Sequence, residues 1–477
     1  MAQVIDNVPY VPVIHDLAEW LLDANSSLLP DAVYVAASRQ TLDSVACAFG
    51  GIQHEASEVA LRVVLDQGES TECTLIGQTS RASAANAAFY NSTIVRAIDC
   101  NDIFFRNGPL GHPSDNIPVA IAIAERQQAT GIDYLNAVSL GYEINWRVLD
   151  YIRAHAKTHA AHWDYVSSSG IVSAAMAGLL LKLDKNQLAN AMAIAGVQGF
   201  TLSGVRRGKV SMLKASAGAF AAQHGVVAAL LAKQGMTGPT DFLEGNGGLL
   251  TALDLGDGAD LRQQLTQTQA FWHILDVTSK PFPAIGTSQS AISAVLGLQR
   301  EFELNAASIQ RIEVRLPDVS AARLQMADSD FLSPTTRETA DHSLPFLVAV
   351  ALEDRRLGLE QFEGNRWKDE STRELMRKVV QTTDPALNAH ALKGYPTVVV
   401  IETVDGARYE REVLDAPGSP DFPLTDDEIT DKFLSYVDPY RMIGHKQELA
   451  QRLLNLVQEP EVSTLIRCLG GSALEPD

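Results

Sequence analysis

Three features of this 477-residue sequence predict a mainly α fold, with a large helical domain interrupted by a smaller α+β lid domain. Apolar residues recur at helical spacing through most of the first 280 positions. Alternation with period two then appears in RIEVRLPDV, and TVVVIETV and ARYEREV flank a hairpin signal at Asp405 and Gly406. Finally, the Pro-, Gly- and Asp-rich stretch DAPGSPDFPLTDDE precedes a return to helical patterning. The expected organisation is a helical part over 1–280, the lid over 281–422, and a segment over 423–477 that returns to the first domain.

The stretch 98–118, IDCNDIFFRNGPLGHPSDNIP, is the most informative in chemistry. Asp99 and Asp102 lie three apart, a spacing that on a helix gives both carboxylates one face. Gly108, Pro109, Gly111 and Pro113 form a loop that sets His112 directly before a new helix. Ser114 or Asp115 can cap that helix, whose apolar positions run through Ile117, Ala120, Ile121 and Ala124. A titratable imidazole, two acids and a helix N-terminus suit acid/base work on a carboxylate-bearing substrate. A capped helix–loop–helix with solvated acids satisfies the same residues without any chemistry.

Further along, Leu140, Ile144, Val148 and Ile152 recur every fourth position, and 165–183, 185–197 and 215–233 are rich in Ala, Leu and Val. Their small residues, as in SAAMAG, AMAIAG and ASAGAFAA, allow helices to approach closely. Between Asp184 and Asp241 there is no Asp or Glu, yet Arg206, Arg207, Lys209 and Lys214 fall within GVRRGKVSMLK. Small-residue core helices explain the missing acids but not the clustered cations, so an anion site is favoured here. Lys280 follows in SKPFPAIGTSQSAI, where Pro281 and Pro283 extend the backbone and a helix begins near Thr287 or Ser288. A lysine at such a junction is ordinarily solvated. In the lid, 344–352 and 374–382 read as helices between the strands.

Bulk properties narrow the function classes. The net charge of −20 gives no global basic footprint for nucleic acid. Cys47, Cys73, Cys100 and Cys468 are scattered, which argues against a zinc knuckle or iron–sulfur cluster and fits free thiols in a reducing compartment. The opening MAQVIDNVPYVPVIHDLAEWLL lacks a basic region followed by a clean apolar one, and apolar stretches look interrupted before reaching membrane-spanning length. A cytoplasmic protein with no membrane partner is expected. His155, His159 and His162 have spacings that suit a helical metal face, although a cleft-lining or surface helix explains them equally well.

The run NAAFYNSTIVRAIDCNDIFFRNGPLGHPSDNIP resembles the corresponding segment of the MmgE/PrpD family, which includes 2-methylcitrate dehydratase and cis-aconitate decarboxylase. SMLKASAGAFAAQHGVVAALLA, SKPFPAIGTSQSAI, DHSLPFLVAVAL and PLTDDEITDKF also match, in family order and across nearly the whole chain. The resemblance implies a helical domain, a smaller lid, a cleft between them, a homodimer, and chemistry without metal or organic cofactor. By motif, Asp99, His112, Lys214 and Lys280 take the catalytic positions. Asp102, Ser114, Arg206 and Arg207 are candidates for binding a di- or tricarboxylate substrate. Lysines facing an enolate-like transition state, with Asp99 and His112 as base and acid, meet the needs of such a reaction.

Departures also appear. Ile103 stands where decarboxylase-like members often carry Thr, Arg96 replaces a frequent His, and Cys100 replaces a frequent Phe. Asn101, the GHPSDN loop and the pattern from Phe282 to Gln289 look more like the dehydratase branch. The expected activity is therefore dehydration of a citrate-type tricarboxylate, best matched by 2-methylcitrate. Decarboxylation of a cis-aconitate-type substrate, dicarboxylate epimerisation and a non-catalytic family member are the alternatives.

Overall fold

Helices α1 (Val13–Asn25), α2 (Asp31–Gly51), α3 (Glu55–Asp66), α4 (Ala84–Arg96), α5 (Ile117–Gln127), α6 (Gly131–His155), α7 (Ser169–Leu180), α8 (Lys185–Gln198) and α9 (Leu213–Lys233) build the first domain. This is a computed structural model that describes residues 10–68, 70–105, 109–156, 162–207, 210–267, 272–391 and 393–472. Close packing of α9 depends on its glycines. A Cβ at Gly225 would lie 2.3 Å from Ser173 of α7, and one at Gly218 would lie 2.7 Å from the Asp115 carboxylate. Small residues thus bring α9 against α4, α7 and α8, and against the loop that carries His112.

Helix α9 is also long and apolar enough to cross a membrane, with a mean hydropathy of 1.4, contrary to the expectation that no apolar stretch reaches that length. Two-thirds of that span is buried inside the protein, as in a core helix.

One hydrophobic core joins α1 through α9 to Leu424, Phe433, Leu449 and Leu465, so the described chain beyond 423 packs with the first domain. A second core holds Ile292, Val295, Ile312, Val314, Phe346 and Ile401. It lies between the helices Gln289–Phe302 and Leu344–Asp354 and a four-stranded sheet of order β6-β5-β7-β8. Its strands are β5 (Ile309–Pro317), β6 (Val379–Asp384), β7 (Thr397–Thr403) and β8 (Arg408–Val413). The fold is mainly α, with a smaller α+β domain.

Two sequence expectations fail locally in this domain. The helix expected over 374–382 ends at Met376, and Val379–Asp384 is an edge strand parallel to β5. Val379, Val380, Thr382 and Thr383 are β-branched, and a partner strand was available to pair with them. The turn after β7 holds three residues rather than two. Thr403 N–H donates to Ala407 O at 3.0 Å, and Gly406 takes the left-handed φ of +86° that closes such a loop.

His155 and His162 do not share a helix face. Helix α6 ends at His155, Ala156 is extended, and His155 Nε2 pairs with Asp260 at 3.2 Å. His162 is exposed, and His159 lies outside the described residues.

Two short ladders complete the frame: β1 (Cys73–Thr74) with β2 (Arg81–Ala82), and β3 (Ile103–Phe104) with β4 (Val277–Thr278). The second matters most, because it lays the segment after α4 beside the segment that leads to Lys280.

Candidate active site

Helix α4 stops at Arg96, and three residues later Asp99 adopts a left-handed φ of +52°. Asp tolerates this conformation better than most residues, but it costs on the order of 1–3 kcal/mol and persists only where its surroundings hold it. The expected shared helical face of Asp99 and Asp102 is therefore absent. The turn sends Asp99 toward a group of cations and Asp102 to the opposite side.

Four side chains converge on Asp99. Lys280 Nζ lies 2.5 Å from Oδ1, Lys214 Nζ 2.8 Å from Oδ2, Arg96 Nη1 3.0 Å from Oδ1, and His342 Nε2 3.7 Å from Oδ2. Burial alone would raise the Asp99 pKa, but Arg96, Lys214 and Lys280 outweigh it and hold the carboxyl well below its usual range. Asp99 is thus an anion of low basicity and a poor general base. Lys280, expected at a solvated junction, is fully buried. Its three ammonium protons go to Asp99 Oδ1, Asp99 O at 2.6 Å and Ala284 O at 3.4 Å, so it positions Asp99 in this structure.

Lys214, on the first turn of α9, connects to a neighbouring pair. Its Nζ lies 3.3 Å from both Asp341 Oδ1 and His342 Nδ1. Asp341 Oδ1 also bonds His342 Nδ1, and Arg337 Nη1 approaches Asp341 Oδ2 at 3.3 Å. Burial pushes the Asp341 pKa up, yet Lys214 and His342 bring it down to about 2. Asp341 and His342 were not among the sequence candidates. Their signal was available in the DHSLPF motif, where adjacent acid and imidazole sit at the end of the short helix Arg337–Ala340.

His112 approaches the same cluster from behind. Phe104 N–H donates to Gly111 O at 2.8 Å, which folds the loop back toward β3. The ring is buried, with its Nδ1 2.5 Å from Asp102 O and its Nε2 3.3 Å from Arg96 Nη2. A carbonyl only accepts, so Nδ1 carries the proton and Nε2 presents its lone pair. Burial, then Arg96 and Lys280, push the His112 pKa well down, and the imidazole is neutral. The neutral imidazole thus keeps an Nε2 lone pair that accepts from Arg96 Nη2, whereas the sequence reading paired Asp99 as base with His112 as acid. The two imidazoles flank the Arg96–Asp99 ion pair.

The remaining candidates separate. Ser114 Oγ donates to Asp102 Oδ1 at 2.5 Å, and Tyr142 OH donates to Asp102 Oδ2 at 2.7 Å. Burial, only partly opposed by these bonds, raises the Asp102 pKa to about 7. Asp102 and Ser114 thus satisfy each other beneath His112. Neither Ser114 nor Asp115 makes a capping bond, because a 3-10 turn, Pro113–Asn116, precedes α5, and Asp115 accepts instead from Asn101 Nδ2 at 3.0 Å. Arg206 Nε pairs with Asp164 at 2.9 Å, and its guanidinium stacks 4.5 Å from the Tyr165 ring centroid. Its Nη1 and Nη2 are buried without a hydrogen-bond partner among the described residues. Arg207 is exposed. Ile103 belongs to β3 and packs beside Gly286, so its apolar side chain is a strand contact.

Asp99, Asp341 and His342 bring three potential metal-donor atoms within 4.8 Å of one another. Arg96, Lys214 and Lys280 already neutralise Asp99, and a divalent ion would have to displace those cations. The donor set fits organic cations better than a metal.

A cavity of about 1260 Å³ opens beside this cluster, between the two domains. Ile98, Met212 and Pro281 line it, each within two residues of Asp99, Lys214 or Lys280. His54 and Tyr436 of the helical domain and Glu338 and Trp367 of the α+β domain also line it.

The sequence matches the MmgE/PrpD N-terminal domain over residues 15–262 and the MmgE/PrpD C-terminal domain over 282–459. It is 27% identical to a cis-aconitate decarboxylase-like protein, oryM, of Aspergillus oryzae, covering 98% of this chain and 99% of that one. It is 23% identical to the cis-aconitate decarboxylase of Aspergillus terreus, over 97% of both chains. It is 25% identical to the 2-methylcitrate dehydratase of Salmonella typhi, over 85% of both chains.

Proposed function

Because the chain belongs to the MmgE/PrpD family, we propose that it is a lyase that forms and stabilises a carbanion next to a carboxylate, acting on a citrate-type tricarboxylate. The observation that carries this reading is the surplus of buried cations. Arg96, Lys214 and Lys280 are buried around the ionised Asp99, Lys214 and the half-buried Arg337 meet the ionised Asp341, and Arg337 lines the interdomain cavity beside them. A carboxylate-rich ligand balances that charge, and cations held in place before the reaction stabilise negative charge as it develops.

In the dehydration we favour, His112 Nε2 removes the proton next to one substrate carboxylate. Lys214 faces the resulting enolate, and Arg206 offers its unpaired Nη1 and Nη2 to another carboxylate. The tertiary hydroxyl leaves as water, taking the proton that His112 has gained, while the Asp341–His342 pair holds Lys214 in place. Asp99 and Lys280 keep Lys214 and Arg96 in place. No step requires a metal or organic cofactor. We further propose that the protein acts as a cytoplasmic homodimer with no nucleic-acid or membrane partner, in keeping with its acidic charge and the family resemblance.

Decarboxylation is the second reading, favoured by similarity to cis-aconitate decarboxylases over 97–98% of the chain, against 85% for the dehydratase. It leaves a carbanion that the same cations would stabilise. Citrate, 2-methylcitrate and cis-aconitate, each incubated with the protein and followed by NMR, separate the two. Loss or addition of water without carbon dioxide release is expected, and it should persist in excess chelator. Itaconate as the main product would replace dehydration by decarboxylation. Activity lost to chelator and restored by zinc or iron would overturn the cofactor-free mechanism, and inertness toward all three substrates would defeat the tricarboxylate reading.

A further inference from the structure

The helix Asp426–Val437 returns from the α+β domain, packs on α2, and carries Lys432 into the seam behind the ion cluster. There the buried Lys432 Nζ makes three bonds: to Asp43 Oδ1 at 2.7 Å, to Cys100 O at 2.9 Å and to Lys280 O at 2.9 Å. An ammonium has three protons, and each one is used. Charge neutralisation of Asp43 requires only one of these contacts. The other two join the residue after Asp99 to the backbone of Lys280.

The location is where the frame is weakest. The β3–β4 ladder pairs Ile103 with Thr278 and Phe104 with Val277, and it goes no further toward Asp99. Beyond the ladder, Asp99 sits at a left-handed φ that its surroundings must maintain. Two ammonium groups close the gap: Lys280 Nζ grips Asp99 O at 2.6 Å, and Lys432 grips Cys100 O and Lys280 O.

We propose that Lys432 is a positioning residue that sets the separation of Asp99 and Lys280 by holding the two backbone segments that carry them. Its effect on turnover rests on the reading of the Asp99 cluster as the reaction centre. A loosened Asp99–Lys280 pair would no longer fix Lys214 and Arg96, and small misplacements of positioned groups cost large factors in rate.

The test uses the Asp43→Asn/Lys432→Ala double variant, which leaves no buried carboxylate unpaired, and two separate readouts. Acetylation of Lys280 by acetic anhydride, followed by mass spectrometry, reports how well that amine is held whether or not a substrate turns over. We expect acetylation to rise and kcat to fall by about tenfold or more, with KM changed by less than about threefold. Ethylammonium ion, seated in the vacated place at the cavity wall, should restore kcat. Unchanged Lys280 acetylation in the double variant, or amine addition that moves only Tm, would overturn the proposal. If the double variant does not fold, Lys432→Arg keeps the charge beside Asp43 while a planar guanidinium replaces the tetrahedral donor. Faster Lys280 acetylation in that variant supports the proposal, and an unchanged rate overturns it. A wild-type protein inert toward every tricarboxylate would defeat the reaction-centre reading, while the acetylation arm would still decide the role of Lys432.

Discussion

His112→Ala is expected to lower kcat by about two to four orders of magnitude, the usual scale for a lost general base. In the proposed step the imidazole acts as base through Nε2, because its Nδ1 proton goes to Asp102 O and Nε2, facing Arg96 Nη2, carries the lone pair. A loop imidazole between Gly and Pro would be expected to matter little for stability, but this ring is buried, with its centroid 5.3 Å from that of Tyr165. Truncation leaves Asp102 O without its donor, so a loss of about 1–3 kcal/mol in stability is also expected. His112→Asn separates the two effects. Its amide can donate to Asp102 O in place of Nδ1 but provides no imidazole base, so stability should return while turnover does not.

The pH profile gives an independent check on the same residue. Burial, then Arg96 and Lys280, lower the His112 pKa, so the neutral, active form persists below the ordinary value near 6.5. The folded state disfavours the proton more than the unfolded chain does. His112 therefore contributes stability above pH 6.5 that is lost as pH falls toward its depressed folded value. The acid limb of kcat/KM attributable to this base should lie below pH 6.5. Near-normal turnover of His112→Ala would remove His112 from the mechanism.

Much of this arrangement was legible in the sequence because it depends on local signals. The helical periodicities, the alternating strand at 311–319 and the breaker-rich stretch before the last helices each act over a few residues. The Arg206 to Lys214 cluster also stood out against an acidic chain. What the sequence concealed was tertiary. Asp99 and Asp102 read as neighbours on a helix because nothing nearby announces a left-handed turn at Asp99. The cause lies far along the chain, in Lys280, 181 residues away, and in the ladder with β4. Lys280 read as solvated for the same reason. Strand β6 read as helix because its partner β5 lies about 65 residues earlier. Asp341, His342 and Lys432 lay within matched motifs, but spacing alone gives an Asp–His dipeptide or a helix lysine no role until the fold aims it.

Lys214→Met tests the electrostatic core of the mechanism, and kcat is expected to fall by about a hundredfold to a thousandfold, as for loss of one preorganised group facing a developing oxyanion. Methionine keeps the aliphatic stem and deletes the charge, so the first turn of α9 keeps its packing. Neither carboxylate beside Lys214 is left alone. Asp99 retains Lys280 and Arg96, while Asp341 retains Arg337 and His342. Stability should therefore fall much less than when one partner of an isolated buried pair is removed, which costs about 3–5 kcal/mol. The pH dependence should move as well. Burial first and Lys214 second depress the His342 pKa, so deleting the ammonium should raise it and shift the pH range over which His342 titrates upward. A variant with unchanged kcat but a large drop in Tm would make Lys214 structural and defeat the anion-site reading. A hundredfold loss in kcat with nearly unchanged Tm would place its charge at the developing carbanion, where loss of water and loss of carbon dioxide make the same electrostatic demand.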